Sequence, residues 1–287
     1  MERNDFCWCG SGKKYKTCHM PIEDKILHMA IEGHITPERE LLKTPAQIDE
    51  IKKSAALNTA VLDHVASHIH AGMSTADIDK LVYDFTTEHG GIPAPLGYEG
   101  FPKSVCTSIN NEICHGIPDE NIILQEGDII NVDVSTNLNG YYSDASRMFA
   151  IGEISERAKK LLRVTKECVQ RGLAAAKPWG HLGDIAHAIN SHAQANGYSV
   201  VEDIGGHGVG LEFHEEPFVS YVTPKGTEMV LVPGMIFTIE PMINEGSPDF
   251  FIDADNGWTV YTEDDGLSAQ IEYMVLITET GAEVLTK

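Results

Sequence analysis

At 287 residues, the chain can bury about 75% of the surface that its unfolded form exposes, so a sizeable core needs no staples. Its 43 acidic residues against 21 basic ones give a formal charge of −22. That argues against sequence-independent nucleic-acid binding, which needs Lys and Arg to neutralise phosphates, so no DNA partner is expected.

No apolar run approaches the ~20 residues that span a bilayer, and no membrane partner is expected. The opening MERNDFCWCG lacks the basic-then-apolar order of a signal peptide. Six cysteines, three of them in the first 18 residues, do not resemble a disulfide framework in a chain this long. A reducing, cytoplasmic compartment is expected.

Residues 1–20 form a compact Cys/Gly/Lys module, CWCGSGKKYKTCHM, in which Cys7 and Cys9 are followed by Cys18 and His19. Residues 21–43, punctuated by Pro21, Gly33 and Pro37, read as a helical or irregular connector. Residues 44–287 are regular and read as one large domain. Thr44 caps a helix with Pro45 in its first turn, and Ile48, Ile51, Ala55, Leu62, Val65, Ala66 and Ile69 supply its apolar stripe. Ser74 with Asp77 predicts a second helix running to Gly90, in a capping box where Asp replaces the usual Glu or Gln.

An internal repeat follows at an offset of 107 residues. Asp77, Ile78 and Gly90 recur as Asp184, Ile185 and Gly197, and EGDIINVDV maps without a gap on PGMIFTIEP, carrying Asp133 onto Glu240. Helices followed by strands in each half predict an α/β fold with a pseudo-twofold axis and a site between the halves. Alternation along the strands places Asn131, Asp133 and Ser135 on one face, and Thr238 with Glu240 likewise. Asn137–Gly140 carries hairpin turn chemistry. A four-residue loop there sets Asp133 directly opposite Asp144, where two carboxylates ~5 Å apart are destabilising without a cation between them.

Asp133, Asp144, His207, Glu240 and Glu272 stand in five short motifs, NVDVS, YSDAS, GHGVG, TIEPM and QIEYM. Singly, each acid reads as a surface ion-pair partner and the histidine as an ordinary loop residue. Together, on polar faces of apolar strands, they make a site that repels itself unless divalent cations neutralise it, with room for two. Gly205, Gly206, Gly208 and Gly210 allow close backbone approach around His207.

The run SINNEICHGIPD, GDIINVDVS, YYSDASRMF, GHGVGLEFHEEP, GMIFTIEPM and LSAQIEYMV resembles the type I methionine aminopeptidases, motif by motif and in order, over residues 44–287. The resemblance implies the pita-bread α/β fold. It implies that Asp133, Asp144 and Glu272 hold one divalent ion, and Asp144, His207, Glu240 and Glu272 a second, the metals being Co, Mn, Fe or Zn. A hydroxide between the ions would attack the scissile carbonyl, with Glu240 as proton shuttle, His214 at the carbonyl oxygen and His115 at the scissile amide. Tyr98, Phe101, Cys106, Phe213 and Trp258, with His115 and His214, match the family's substrate pocket. Pro95, Phe101 and Tyr273 depart from common family residues and put the pocket's shape in doubt.

The N-terminal module resembles the SEC-C motif. Cys7, Cys9, Cys18 and His19 then form a closed site for one structural zinc, expected to fold independently of the catalytic part. Arg3, Lys13, Lys14 and Lys16 make the one basic spot on an acidic protein. The expected activity is removal of the initiator methionine from nascent chains with a small second residue, by a monomer docked to the ribosome through the zinc module. Two alternatives share the fold: an X-Pro peptidase, or a ribosome-associated binding protein without catalysis. The short catalytic part disfavours the first, and the full ligand set disfavours the second.

Overall fold

The computed structural model describes residues 1–286. The first half contains α1 (Met20–Ile31), α2 (Pro45–Ala66), α3 (Thr75–Glu88), β1 (Ile92–Pro93), β2 (Cys106–Ile109), β3 (Glu112–Cys114), β4 (Ile129–Leu138) and β5 (Tyr141–Ala150). The second contains α4 (Glu156–Ala175), α5 (Leu182–Ala195), β6 (Ser199–Val200), β7 (Gly206–Gly208), β8 (Glu215–Val219) and β9 (Ile236–Ile239). It ends with β10 (Met242–Asn244), β11 (Phe250–Ile252), β12 (Val260–Thr262), β13 (Ser268–Gln270), β14 (Glu272–Ile277) and β15 (Ala282–Val284).

Local chemistry starts the helices. Thr44 and Gln47 form a reciprocal capping box on α2 with Pro45 at its start. Ser74 and Asp77 do the same on α3, and His181 with Asp184 on α5. The repeat is visible in the elements: α3 and α5 are both 14 residues long, and α5 begins 107 residues after α3, as β6 does after β1 and β9 after β4.

A nine-stranded antiparallel sheet runs β1-β4-β5-β14-β9-β7-β8, with β2 beside β4 and β15 beside β14. Each half packs its own helices on this sheet. Val61, Leu62 and Val65 of α2 with Ile78 and Val82 of α3 bury Ile130, Val132 and Val134. Leu161 and Val164 of α4 with Ile185 and Ile189 of α5 bury Phe237 and Ile239. This is the α/β arrangement of two related halves expected from the repeat, and the pita-bread fold that the resemblance implies; the seam between the halves falls between β5 and β14.

Two expectations need correction. The β4–β5 loop is Asn139–Gly140, not Asn137–Gly140, because the ladder continues to Leu138↔Tyr141. Asn139 and Gly140 both take positive φ, 55° and 85°, the two-residue type I′ turn that matches strand twist. Asp133 therefore faces Ser146 and Asp144 faces Ser135. The two acids share a face but sit diagonally.

The N-terminal module is also not held apart by its connector. Trp8, with Ile22, Ile26 and Met29 of α1, packs against the second-half core. The Trp8 indole N–H donates to Glu23 (2.8 Å), whose carboxylate also accepts from Tyr15 and pairs with Arg39 (3.0 Å). The connector is tied down by His34 and His181, whose ring nitrogens lie 3.0 Å apart. Apolar residues on α1 find more favourable burial against the second half than in water.

Candidate active site

The sheet delivers the expected ligands to one cavity of about 330 Å³ between the halves, lined by Asp133, Asp144, His207, Glu240 and Glu272. Each is placed by strand alternation on β4, β5, β7, the end of β9 and the start of β14. Ligand atoms of Asp144, His207 and Glu272 all lie within 4.8 Å of one another.

Neighbouring polar groups aim them. Ser135 Oγ donates to Asp144 Oδ1 at 2.8 Å. Thr238 Oγ1 donates to Glu240 Oε1 at 2.6 Å, and Gln270 Nε2 donates to Glu240 Oε2 at 2.9 Å. Tyr221 Oη accepts the Glu240 backbone N–H at 2.7 Å. His207 Nδ1 lies 2.9 Å from the Gly208 carbonyl oxygen. It therefore carries the proton, leaving the Nε2 lone pair free at 3.6 Å from Asp144 and 3.7 Å from Glu240.

Burial makes this cluster costly in its bare form. It pushes the Asp133 carboxyl up to about 7 and that of Glu240 up to about 8. Burial, reinforced by the neighbouring carboxylates, holds Asp144 and Glu272 well above the usual range. Among the described residues, buried Glu272 Oε1 has no hydrogen-bond partner, a state that native proteins rarely tolerate. Burial also lowers His207 to about 4, so its imidazole is neutral near pH 7. An oxygen-rich, self-repelling, partly orphaned set with one bare nitrogen fits divalent cations.

The rest of the cavity is largely apolar. Tyr98, Phe101, Cys106, Phe213 and Trp258 all line it, together with His115 and His214. Phe101 meets Trp258 edge-on at 5.2 Å, and Tyr98 meets Phe213 at 4.8 Å. His214 sits at the rim, its ring 4.2 Å from those of His207 and Phe213. Burial lowers both His115 and His214 to about 4. Pro95 lines the cavity, while Tyr273 is not among the lining residues.

Sequence reasoning missed Gln270, Tyr221, Ile204, Met242 and Phe218. Gln270 had a signal, standing two residues before Glu272. Ile204, Met242 and Phe218 line the cavity and Tyr221 lies behind Glu240, none carrying ligand chemistry that would mark it in the sequence.

Residues 49–279 match metallopeptidase family M24. The chain belongs to that family. Residues 3–21 match the SEC-C motif. This M24 protein is 44% identical to the methionine aminopeptidase of Chlamydia pneumoniae over 100% of this chain and 99% of that one. It is 48% identical to methionine aminopeptidase A of Synechocystis over 84% of this chain and 94% of that one. The crystal structure of methionine aminopeptidase from Rickettsia prowazekii superposes with a TM-score of 0.84 at 41% identity, covering 86% of this chain and 99% of that one.

The N-terminal cluster has its own geometry. Cys7 Sγ and Cys18 Sγ lie 3.2 and 3.3 Å from His19 Nδ1, and Cys9 Sγ is 3.6 Å from Cys18 Sγ. A tetrahedron of ligands ~2.3 Å from a central zinc has edges of ~3.8 Å, so the donor set fits that ion.

Proposed function

We propose that this M24 metallopeptidase is a methionine aminopeptidase that removes the initiator methionine from nascent chains whose second residue is small. The observation that carries this reading is one cavity with a carboxylate-and-imidazole end and an aromatic end. Asp133, Asp144 and Glu272 would hold one divalent cation, and Asp144, His207, Glu240 and Glu272 a second, from Co, Mn, Fe or Zn. Such ions supply Lewis acidity and bring a water's pKa to ~7.

The chain's own groups do the rest. Glu240, oriented by Thr238 and Gln270, accepts a proton and passes it on. His214, neutral near pH 7, donates an N–H to the scissile carbonyl oxygen, and His115 contacts the scissile amide, donating to its nitrogen once that nitrogen becomes the leaving amine. Tyr98, Phe101, Cys106, Phe213 and Trp258 enclose the methionine side chain. Cys7, Cys9, Cys18 and His19 hold a structural zinc in a module of residues 1–20, joined through 21–43 to a catalytic domain of 44–287. Its basic residues Arg3, Lys13, Lys14 and Lys16 suit docking to the ribosome in the cytoplasm.

The test uses Met-Ala and Met-Lys peptides with the metal-loaded protein. Met-Ala should be cleaved and Met-Lys spared. Chelation should abolish the activity and Mn or Co restore it. Cleavage that survives chelator with metal confirmed absent would sink the reading.

A further inference from the structure

We infer that Lys43 is a positioning residue for His214, acting through a buried ion pair with Glu215. This rests on the reading of His214 as the group that meets the substrate carbonyl. Lys43 lies at the end of the connector, outside every motif that lines the cavity. Its side chain is only 1% exposed and pairs with Glu215, itself 11% exposed. A lysine ammonium is almost never buried so fully unless a partner holds it there.

Glu215 divides its two oxygens. Oε2 takes the Lys43 ammonium, and Oε1 accepts the backbone N–H groups of Leu211 at 2.6 Å and Glu212 at 3.0 Å. The carboxylate thereby closes residues 211–215 into a ring, and the two residues between its attachment points are Phe213 and His214. The His214 imidazole has ring contacts with Tyr98, His207 and Phe213 but, among the described residues, no hydrogen bond. Its position depends on the backbone that carries it.

The anchor itself is rigid. The Lys43 backbone N–H donates to the Gly234 carbonyl at 2.9 Å, two residues before β9, and Thr44 opens the capping box of α2. The loop backbone at Gly210 runs close beside this anchor: a Cβ there would crowd Ile51 Cδ1 at 2.7 Å and sit in ordinary contact with Lys43 Cε at 3.6 Å. The start of the first half's helix layer is thus bolted to the loop that brings His214 to the site from the second half. Removing either charge leaves the other buried and unpaired.

The experiment measures kcat and KM on Met-Ala peptides for Lys43→Met, Glu215→Gln and Lys43→Arg, with metal content and circular dichroism on each. The first two should lose roughly 10- to 100-fold in kcat at nearly unchanged KM and full metal loading, the scale of a ~1 Å misplacement. Lys43→Arg should retain most of the turnover. In a His214→Ala background, Lys43→Met should add little, because it acts through the residue already removed. If Lys43→Met does not fold, the Lys43→Met/Glu215→Gln pair, which buries no lone charge, replaces it. Equal losses in both backgrounds, or wild-type kcat in the folded variant, would overturn the inference. A separate readout needs no substrate: amide hydrogen exchange at Leu211 and Glu212 should quicken in the variant. Unchanged exchange there overturns the role of the pair. A wild-type protein inactive on Met-Ala would instead count against the proposed function, with the exchange measurement still deciding the role of Lys43.

Discussion

At the level of the residue, the proposed chemistry converges on Glu240. Thr238 and Gln270 hold its two oxygens, an orientation that suits the proton-shuttle role proposed for it. Glu240→Gln keeps the volume and one oxygen but removes the base. Turnover should fall by roughly 10²–10⁴, read by single-turnover peptide cleavage on protein shown to keep its metals. Near-normal turnover in that variant would remove Glu240 from the proton path.

Burial of the site predicts how the metal-free protein responds to pH. Asp133 and Glu240 titrate at about 7 and about 8 when folded, against ~3.9 and ~4.3 unfolded. Their contribution to stability is full below about pH 4 and is lost as pH rises through 7–8. His115, His207 and His214 work oppositely. Each is lowered to about 4 when folded against ~6.5 unfolded, so each costs stability only below about pH 6.5. Within the cavity, only the carboxylates act from pH 6.5 to 8. The melting temperature in chelator should decline across that window, and added Mn should flatten the decline. A metal-free melting temperature that rises with pH would contradict the burial argument.

At the level of elements, the site depends on how closely β7 approaches β9. A Cβ on Gly206 would lie 2.5 Å from Tyr221 Oη, 2.6 Å from the Thr238 carbonyl oxygen and 2.8 Å from Thr238 Oγ1. Those atoms orient Glu240 and receive the His207 backbone N–H, Thr238 Oγ1 accepting it at 2.9 Å. Gly206→Ala should therefore push His207 off its axis without unfolding the sheet. Metal affinity should weaken roughly 10- to 100-fold, the usual cost of disturbing groups behind a ligand, as measured by calorimetric titration of the chelated protein. Unchanged affinity would show that β7 has slack.

At the level of the molecule, two similar halves share one sheet, and the zinc-type module is packed on the second half rather than tethered. Deleting residues 1–20 removes Trp8 from its contact with the core and takes away Tyr15, one of the groups bonded to Glu23. The melting temperature should drop by a few degrees, each kcal/mol being worth ~2–4 °C in a domain of this size. Peptide cleavage should survive, because every cavity residue lies beyond position 90. Co-sedimentation with ribosomes at low and moderate salt should weaken with the loss of Arg3, Lys13, Lys14 and Lys16. Equal sedimentation of the two forms at every salt concentration would rule out a targeting role.

Much of this was legible in the residues. Capping at Thr44 and Ser74, the 107-residue repeat and the common face of Asp133 with Ser135 depend on local periodicity and backbone preference, which a sequence displays directly. The β4–β5 register was legible only in part. Asn139–Gly140 is a strong local turn signal, but where the ladder ends depends on pairing Leu138 with Tyr141, a contact rather than a propensity. The positions of Gln270 behind Glu240, of Tyr221 beneath it and of Lys43 against Glu215, 172 residues apart, were decided only by the tertiary structure. Each satisfies a buried polar group whose partner lies far along the chain, and nothing local to either residue says which partner folding will bring.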